Sequence, residues 1–227
     1  MGRRAGVFAL CLGVVSMVGC GGGSGTSTTQ QLRIVMASPD APPVDILIDG
    51  TQVATALAYT NSTSYTAVKA GQRRVQALTV SNSTSIFDQP IAVTASANLT
   101  LLLTGPESKI QSVLLTDGAT TTTTATGTGK VRIVNASATM GPADVYIVSA
   151  GTGLAGATPV ATKLSFDQAT AYESAAIGNY EVFMTSPGTT NLLLDTGALA
   201  LTQSQFQTVV AVDATSGGFN YIALTDQ

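Results

Sequence analysis

One stretch of this sequence occurs twice, and the duplication constrains the fold more than any other feature. Residues 32–50 are LRIVMASPDAPPVDILIDG, and residues 131–149 are VRIVNASATMGPADVYIVS. Each begins with an apolar run that is rich in β-branched residues, continues through a Pro-containing corner and ends in a second such run. The similarity extends to the end of each copy, where Leu-Thr-Asp occurs at 115–117 and again at 224–226. Each copy is about 90 residues long, which is too long for a solenoid repeat and typical of a small domain.

Both copies are predicted to be all-β. Prolines at 39, 42 and 43 interrupt the first apolar run, and proline cannot donate to a central ladder, so the chain is expected to turn a corner there. Asp49-Gly50 is the signal of a two-residue hairpin. Turn residues recur about every ten positions, which is typical of a sandwich, and no stretch favours a helix. The predicted fold is two tandem antiparallel β-sandwich (Ig-like) domains, at 32–118 and 130–227, each expected to fold alone.

A Thr-rich segment without periodicity, residues 119–129, is predicted to link the two domains.

These residues resemble a known family. The run ASPDAPPVDILIDG, followed by Tyr65, by Ala70-Gly71 and by a terminal LLTDG, resembles the bacterial domains of unknown function numbered 4397 (DUF4397). The second copy is a degenerate match. The resemblance implies an exported, often tandem, β-sandwich module of the bacterial envelope, and it brings no activity. The positions that both copies share are expected to form a structural motif: Pro43 and Pro142, Asp45 and Asp144, Tyr65 and Tyr172, Gly71 and Gly178.

The N-terminus is predicted to be a targeting signal. Arg3 and Arg4 precede an almost entirely apolar run that ends at Gly19-Cys20. The run is shorter than the roughly 20 residues that span a bilayer. Residues 17–20, Met-Val-Gly-Cys, resemble the bacterial lipoprotein signal, although Met17 replaces the usual leucine. Residues 1–19 are therefore predicted to be a lipoprotein signal peptide and Cys20 to be acylated. The alternatives are an ordinary signal peptide cleaved nearby and an uncleaved anchor.

Lipidation at Cys20 would make the lipid bilayer a partner of the protein. Residues 20–31 are rich in Gly, Ser and Thr and are predicted to be a flexible tether with a root-mean-square reach of about 18 Å. Gly21 is not aspartate, which by resemblance to enterobacterial sorting favours the outer membrane. The predicted location is thus exported and membrane-anchored, on the periplasmic or surface face.

Composition argues against nucleic-acid binding and against most catalytic chemistry. From Cys20 onward the chain has eight basic and thirteen acidic side chains, a net charge of −5, whereas a nucleic-acid partner would need a basic face. The sequence contains no histidine, which removes the commonest general base and the commonest metal ligand. We therefore predict neither an enzyme nor a cofactor.

Three carboxylates of the first copy are candidate calcium ligands. Asp40, Asp45 and Asp49 are close in sequence, and Ca²⁺ prefers oxygen ligands. The alternative is turn chemistry, in which each carboxylate bonds backbone amides. The second copy keeps only Asp144 of the three, so no metal is predicted to be essential to the fold.

The repeated aromatic residues have two interpretations. The pairs Tyr59/Phe166 and Tyr65/Tyr172 are candidates for a face on which sugars stack. The interpretation favoured by their repetition is a core contact in which each hydroxyl finds a backbone partner. Arg33 and Arg132 alternate with apolar strand residues and are expected to face solvent.

The predicted function is a non-catalytic, membrane-anchored envelope module that is structural or binds a surface partner, either an envelope protein or a polysaccharide. The alternative is a domain protein that binds a small ligand, either a carbohydrate or Ca²⁺.

Overall fold

The computed structural model describes residues 1–2, 29–95, 97–118 and 124–226. Residues 3–19 of the predicted signal peptide, Cys20 and residues 21–28 of the predicted tether lie outside the described residues. Apart from one 3-10 turn at Glu107–Lys109, every regular element within these ranges is a strand. The strands of the first copy are β1 Thr29–Met36, β2 Val44–Ile48, β3 Thr51–Leu57, β4 Thr66–Lys69, β5 Gly71–Thr79, β6 Ser85–Val93, β7 Leu99–Thr104 and β8 Gln111–Thr116.

The second copy repeats this plan with two further short strands. Its strands are β9 Thr128–Asn135, β10 Ala143–Ser149, β11 Ala161–Leu164, β12 Gln168–Ala169, β13 Glu173–Ala176, β14 Gly178–Thr185, β15 Leu192–Asp195, β16 Leu199–Leu201, β17 Phe206–Asp213 and β18 Phe219–Asp226.

Each copy forms a two-sheet sandwich. In the first copy the strand orders are β4-β1-β7-β8 and β3-β2-β5-β6; in the second they are β12-β9-β17-β18, with β13 also on β9, and β11-β10-β14-β15, with β16 also on β14. We call the sheets that contain β1 and β9 the inner sheets, and the other two the outer sheets. The predicted all-β tandem sandwich is confirmed. Most pairs are antiparallel, and each inner sheet has one parallel pair, β1 with β7 and β9 with β17.

Two boundaries differ from the sequence prediction. The composition predicts a tether that extends to residue 31, but β1 begins at Thr29, which pairs with Lys69 of β4. Gln30 is buried, and its side-chain oxygen accepts a hydrogen bond from the amide of Ala97 at 3.0 Å. The linker was expected to end at residue 129, whereas β9 already begins at Thr128. Polar residues extend these strands because the backbone of the neighbouring strand supplies the pairing.

Alternation along the inner strands explains where each core sits. Leu32, Ile34 and Met36 of β1 point into the first sandwich, where they join Val44 and Ile46 of β2. Val131, Ile133, Val209 and Ala211 do the same in the second sandwich. Successive side chains of a strand point to opposite faces, so the residues between these must lie on the outer face of the sandwich.

Those outer faces are not exposed, because the two inner sheets pack against each other. A third apolar cluster contains residues of both copies: Val35, Ala37, Leu102, Leu115, Val134, Ala136, Val210, Val212, Ile222 and Leu224. The molecule therefore has four layers and three cores. The prediction that each copy folds alone stays a prediction, but separation would uncover this cluster.

The two sandwiches are packed with their inner strands running the same way. Arg33 near the start of β1 contacts the end of β18, and Arg132 near the start of β9 contacts the end of β8. The corners that follow β1 and β9 meet at the opposite end, where Pro39 and Ala138 line one cleft. The molecule thus has a tether end, where β1 begins, and a corner end.

Asp45 and Asp144 each hold a strand irregularity. The register of β2 on β3, and of β10 on β11, shifts beside these residues. One oxygen of Asp45 accepts the amide of Ala56 at 3.0 Å, and one oxygen of Asp144 accepts the amide of Lys163 at 2.8 Å. Both amides belong to residues with positive φ, 48° and 54°. The second oxygen of Asp144 also accepts the amide of Gly188 at 2.7 Å.

We predict that Asp144→Ala lowers the free energy of unfolding by about 1 kcal/mol. The substitution removes the acceptor of two part-buried amides, and a fully buried unpaired donor would cost on the order of 1–3 kcal/mol. Asp45→Ala should cost less, because its single bond is exposed and water can replace it. Asparagine keeps one acceptor oxygen and should restore part of each loss. Urea denaturation measures the differences. Stabilisation by added calcium that disappears in Asp45→Ala would instead identify Asp45 as a metal ligand.

Candidate functional site

A buried polar network crosses the interface between the two inner sheets. The guanidinium of Arg33 donates to Asp226 Oδ1 at 2.6 Å and to the backbone oxygen of Thr225 at 2.8 Å. It also donates to Thr100 Oγ1 of its own copy, from Nη2 at 2.8 Å and from Nε at 3.1 Å. The arginine of the first copy is therefore held by the last strand of the second.

The second copy returns the same contacts. Arg132 donates to Asp117 Oδ1 at 2.8 Å, to the backbone oxygen of Thr116 at 2.7 Å and to Thr208 Oγ1 at 2.8 and 3.1 Å. Such reciprocity is the hallmark of a two-fold interface, here formed by two copies within one chain. We call the following eight residues the crossed Arg–Asp network: Arg33, Tyr65, Thr100, Asp117, Arg132, Tyr172, Thr208 and Asp226.

Each carboxylate divides its two oxygens between the copies. Oδ2 of Asp117 accepts from Thr100 and Tyr65 of its own copy, both at 2.7 Å. Oδ2 of Asp226 accepts from Thr208 and Tyr172, both at 2.6 Å. The remaining oxygen faces the arginine of the other copy. Each aspartate thus ties the edge of its own sandwich to the neighbouring sandwich.

The expectation that Arg33 and Arg132 face solvent is wrong. Both residues are only 5% exposed, and the side chains of Asp117 and Asp226 are fully buried. The alternation correctly placed the arginines away from their own cores, but the other copy covers that face. The available signal was the repetition itself: both copies have an arginine on an apolar strand and an aspartate in the terminal Leu-Thr-Asp.

Tyr65 and Tyr172 are structural members of this network. The Arg33 guanidinium lies 4.7 Å from the centroid of the Tyr65 ring, and the Arg132 guanidinium 4.4 Å from that of Tyr172. Both rings are partly buried, and burial raises the pKa of both hydroxyls, with the neighbouring aspartates adding to the shift. The repetition predicts a backbone partner for each tyrosine hydroxyl, but each hydroxyl donates to an aspartate carboxylate instead. The Tyr172 hydroxyl also accepts a hydrogen bond from the backbone amide of Gly118 at 3.2 Å.

The other aromatic pair also lies at the interface. The Tyr59 hydroxyl donates to the backbone oxygen of Asp213, and the Tyr59 ring packs against the shared apolar cluster. Burial, followed by the charge of Asp213, raises the pKa of Tyr59 to about 12. Phe166 lies beside Gly105 of the first copy. Both residues therefore contact the opposite sandwich, which leaves neither pair as a flat exposed platform for sugars.

The glycine and proline positions shared by the copies shape the chain. Gly71 and Gly178 begin β5 and β14 with φ of 106° and 115°, a conformation that side chains with a Cβ rarely adopt. Pro43 and Pro142 immediately precede the first residues of β2 and β10. The Pro43 carbonyl accepts a hydrogen bond from the amide of Val80 at 3.1 Å.

The three candidate calcium ligands are not brought together. Asp40 Oδ1 accepts the amide of Glu107 at 2.8 Å at the corner end, whereas Asp49 accepts the amide of Arg74 at 2.9 Å in the Asp49-Gly50 turn. Asp45 bonds Ala56, as described above. Among the residues that the structure describes, no group of three acidic or cysteine side chains is placed to hold a metal ion.

The corner end carries a cleft that neither copy could form alone. Its volume is about 310 Å³, and its lining is mostly apolar. We call it the corner cleft, and its residues are Pro39, Asp40, Gly105, Pro106, Ala138, Thr139 and Asp213. Asp213 accepts the amide of Ala138 at 3.0 Å and the hydroxyls of Ser137 and Thr139, which fixes the second corner against β17. The prolines in the sequence indicate the corners, but no pattern in the sequence indicates that the two corners meet.

Comparison with known proteins places the chain in a family. The model of the family described as "Domain of unknown function (DUF4397)" matches it twice, at residues 30–146 and 129–227. The chain therefore belongs to this family, as its sequence motifs predicted. No curated protein is similar enough to the chain to match it.

Two solved structures share weak fold similarity with the chain. One is the carbohydrate-binding module CBMbc (family CBM26) from Eubacterium rectale Amy13K in complex with maltoheptaose, at 10% identity and a TM-score of 0.30, covering 86% of this chain and 96% of that one. The other is a Bacteroides uniformis protein provisionally assigned to cell adhesion, at 11% identity and a TM-score of 0.24, covering 88% and 98%. At these scores neither match bears on function.

Among the described residues, no helix has the length and apolar character needed to cross a bilayer.

The raised tyrosine pKa values predict sensitivity to alkali. A group whose pKa is higher in the folded state stabilises the fold below its unfolded value, here 10.0, and this stability is lost as the pH rises towards the folded value. The melting temperature should therefore fall steadily above about pH 10. Tyr59→Phe should melt lower than the parent at neutral pH but lose less on going to alkaline pH. An equal alkaline loss in the two proteins would contradict the assignment.

Proposed function

We propose that the chain is an exported, membrane-anchored envelope module without catalytic activity, in which two sandwiches are fixed as one body and present a binding cleft away from the membrane. The observation that carries this proposal is the crossed Arg–Asp network. Its reciprocal contacts set the position of one copy on the other, and that position brings the two corners together. The network is thus assigned a structural role: it fixes the two copies in the position that forms the corner cleft, and it takes no part in a reaction.

The buried charges support a non-catalytic role. Among the described residues, the buried charged side chains are Arg33, Asp117, Arg132, Asp144 and Asp226. Every one of them is paired with an opposite charge or with backbone amides. Groups with strongly perturbed pKa values cluster at functional sites, and these five groups are instead paired with each other or with the backbone within the fold.

The position of the corner cleft supports binding of a surface partner. An acylated Cys20 would place the tether end near the bilayer, since only eight residues separate it from Thr29. The corners, at the other end of the inner strands, would then lie farther from the point of attachment than the tether end does. A partner of this kind would be an envelope protein or a polysaccharide.

The size of the corner cleft favours a second candidate, a small ligand. Its volume of about 310 Å³ lies at the lower end of the range for small-molecule sites, and such sites are mostly apolar with a few polar groups. Asp40, Thr139 and Asp213 supply polar groups here. Titration calorimetry and a glycan array separate the two candidates, since saturable binding of one small molecule supports the second.

The anchor has a direct test. With Cys20→Ala, we expect the chain to leave the membrane fraction and to lose incorporation of radioactive palmitate, because the thiol that carries the acyl groups is gone. Cell fractionation and labelling measure both effects. A variant that is processed at the same site and stays in the membrane would refute the lipoprotein assignment.

The binding site has a separate test with a matched control. Ala138→Tyr should fill the corner cleft and abolish capture of a partner from envelope extract, or binding of a glycan, that the parent protein shows. Val80→Tyr adds the same side chain at a position that is 52% exposed and outside the cleft, so it should bind like the parent. Equal binding by both variants would place the partner elsewhere.

A further inference from the structure

In addition to the corner cleft that they share, each sandwich has a cleft of its own. It lies at the tether end, where the outer sheet and the inner sheet separate. In the first copy it lies between the turn after β2 and strand β4, with a volume of about 370 Å³. In the second copy it occupies the equivalent place between β10 and β13, with a volume of about 240 Å³. The duplication thus provides the same cleft twice within one chain, and differences in lining can be compared position by position.

The two clefts differ in charge. The first is lined by Lys69, Arg73 and Asp49, of which Asp49 is paired with Arg73. Ala176 and Tyr180 stand at the positions equivalent to Lys69 and Arg73, and the second cleft contains Glu173 and no basic residue. The fold therefore does not require the cations, because the second copy forms the same cleft without them. Their presence in the first copy calls for a separate explanation.

Arg73 is only partly satisfied in this cleft. Its Nη1 donates to Asp49 Oδ2 at 3.0 Å, and its Nη2 donates to the backbone oxygen of Ala70 at 3.3 Å. Its Nε is buried and has no acceptor among the described residues. An unpaired donor of this kind is costly in a folded protein. Because Nε has no contact with solvent, an anion in the cleft would bind the exposed part of the guanidinium and would reach Nε only after the Arg73 side chain turned towards the cleft.

The cationic cleft lies beside the point where the tether ends and β1 begins. Lys69 pairs directly with Thr29, the first residue of β1, across the edge of the inner sheet. A chain anchored at Cys20 would hold this cleft close to the bilayer, because only residues 21–28 separate the anchor from Thr29. The acidic cleft of the second copy lies at the same end of the molecule but has no direct connection to the tether. Basic residues at a membrane surface are attracted to anionic lipid within about one Debye length.

From these observations we propose that the cleft of the first copy, lined by Lys69 and Arg73, binds the phosphate of an anionic lipid headgroup and docks the first sandwich on the membrane. The proposal rests on the membrane anchoring proposed above for its biological setting, but the binding itself needs no acyl chain. Docking would convert a tethered domain that is free to turn into one with its corner end directed away from the bilayer.

The test uses the chain from residue 20 with Cys20→Ala, so that no lipid anchor contributes. Vesicles of phosphatidylcholine alone and with added phosphatidylglycerol are sedimented with the protein. We expect binding to the anionic vesicles only. Lys69→Gln should weaken it about fivefold, since each basic residue near an anionic surface contributes about that factor. Asp49→Asn should strengthen it by a similar factor, because it removes the opposing charge while keeping an acceptor for the amide of Arg74.

Lys109→Gln provides the matched control. It removes one positive charge from the exposed 3-10 turn between β7 and β8, at the corner end and outside both clefts, and should leave binding unchanged. An equal loss in Lys109→Gln and Lys69→Gln would overturn the site by showing attraction to overall charge. Absence of vesicle binding would overturn the proposal as well, and calorimetric binding of inorganic phosphate in that case would reassign the cleft to a free anion. The two proposals can fail separately. If palmitate labelling finds no acylation of Cys20 but the protein still binds anionic vesicles, the anchor is refuted and the lipid-binding cleft is supported.

Discussion

Two buried ion pairs, each joining one copy of the duplicated domain to the other, govern the arrangement of this molecule. Removing a guanidinium or a carboxylate from water costs several kcal/mol, and the attraction within the pair repays this cost only when geometry and additional hydrogen bonds are good. Here each arginine donates to a carboxylate, a backbone oxygen and a threonine hydroxyl, and an aromatic ring covers it. A displaced interface would leave charges buried without partners, so the network penalises every alternative register.

The same interface explains the composition of the inner strands. A sheet with water on one side shows strict alternation, whereas β7 is buried at all six positions. Its even-numbered residues, Thr100, Leu102 and Thr104, face the second copy. The polar members of that face are small hydroxyl residues, and Thr100 supplies the oxygen that Arg33 and Asp117 share. The same face of β7 therefore provides both the packing surface between the copies and the hydroxyl group that bonds the buried charges.

Much of the fold could be predicted because it depends on local patterns. The Asp49-Gly50 turn is a hairpin in which Ile48 pairs with Thr51, and the all-β tandem arrangement follows from proline corners and alternation. The face of Arg33 could also be predicted, but not what covers it. Alternation reports which residues share a face and gives no information about a second layer. Arg33 and Asp226 are 193 residues apart in sequence, so no local pattern predicts their contact.

The candidate sites illustrate the same limit. Asp40, Asp45 and Asp49 are close in sequence, yet the corner and the hairpin carry two of them to opposite ends of the sandwich. The corner cleft, in contrast, joins Pro39 to Ala138 and Asp213 across the interface. Proximity in sequence thus suggests a calcium site whose ligands the fold separates. The corner cleft has no signal in the sequence, because it forms only when the two copies pack against each other.

The central claim is that the two copies form one body through this interface, and cleavage of the linker tests it most directly. A protease site placed within residues 119–123 allows the full-length folded chain to be cut between the sandwiches, and size-exclusion chromatography with light scattering then reports the mass. We expect the two halves to remain together in a 1:1 complex, and the same cut in Asp226→Ala to release them more readily. Halves of the parent protein that separate at once into folded monomers would contradict the claim.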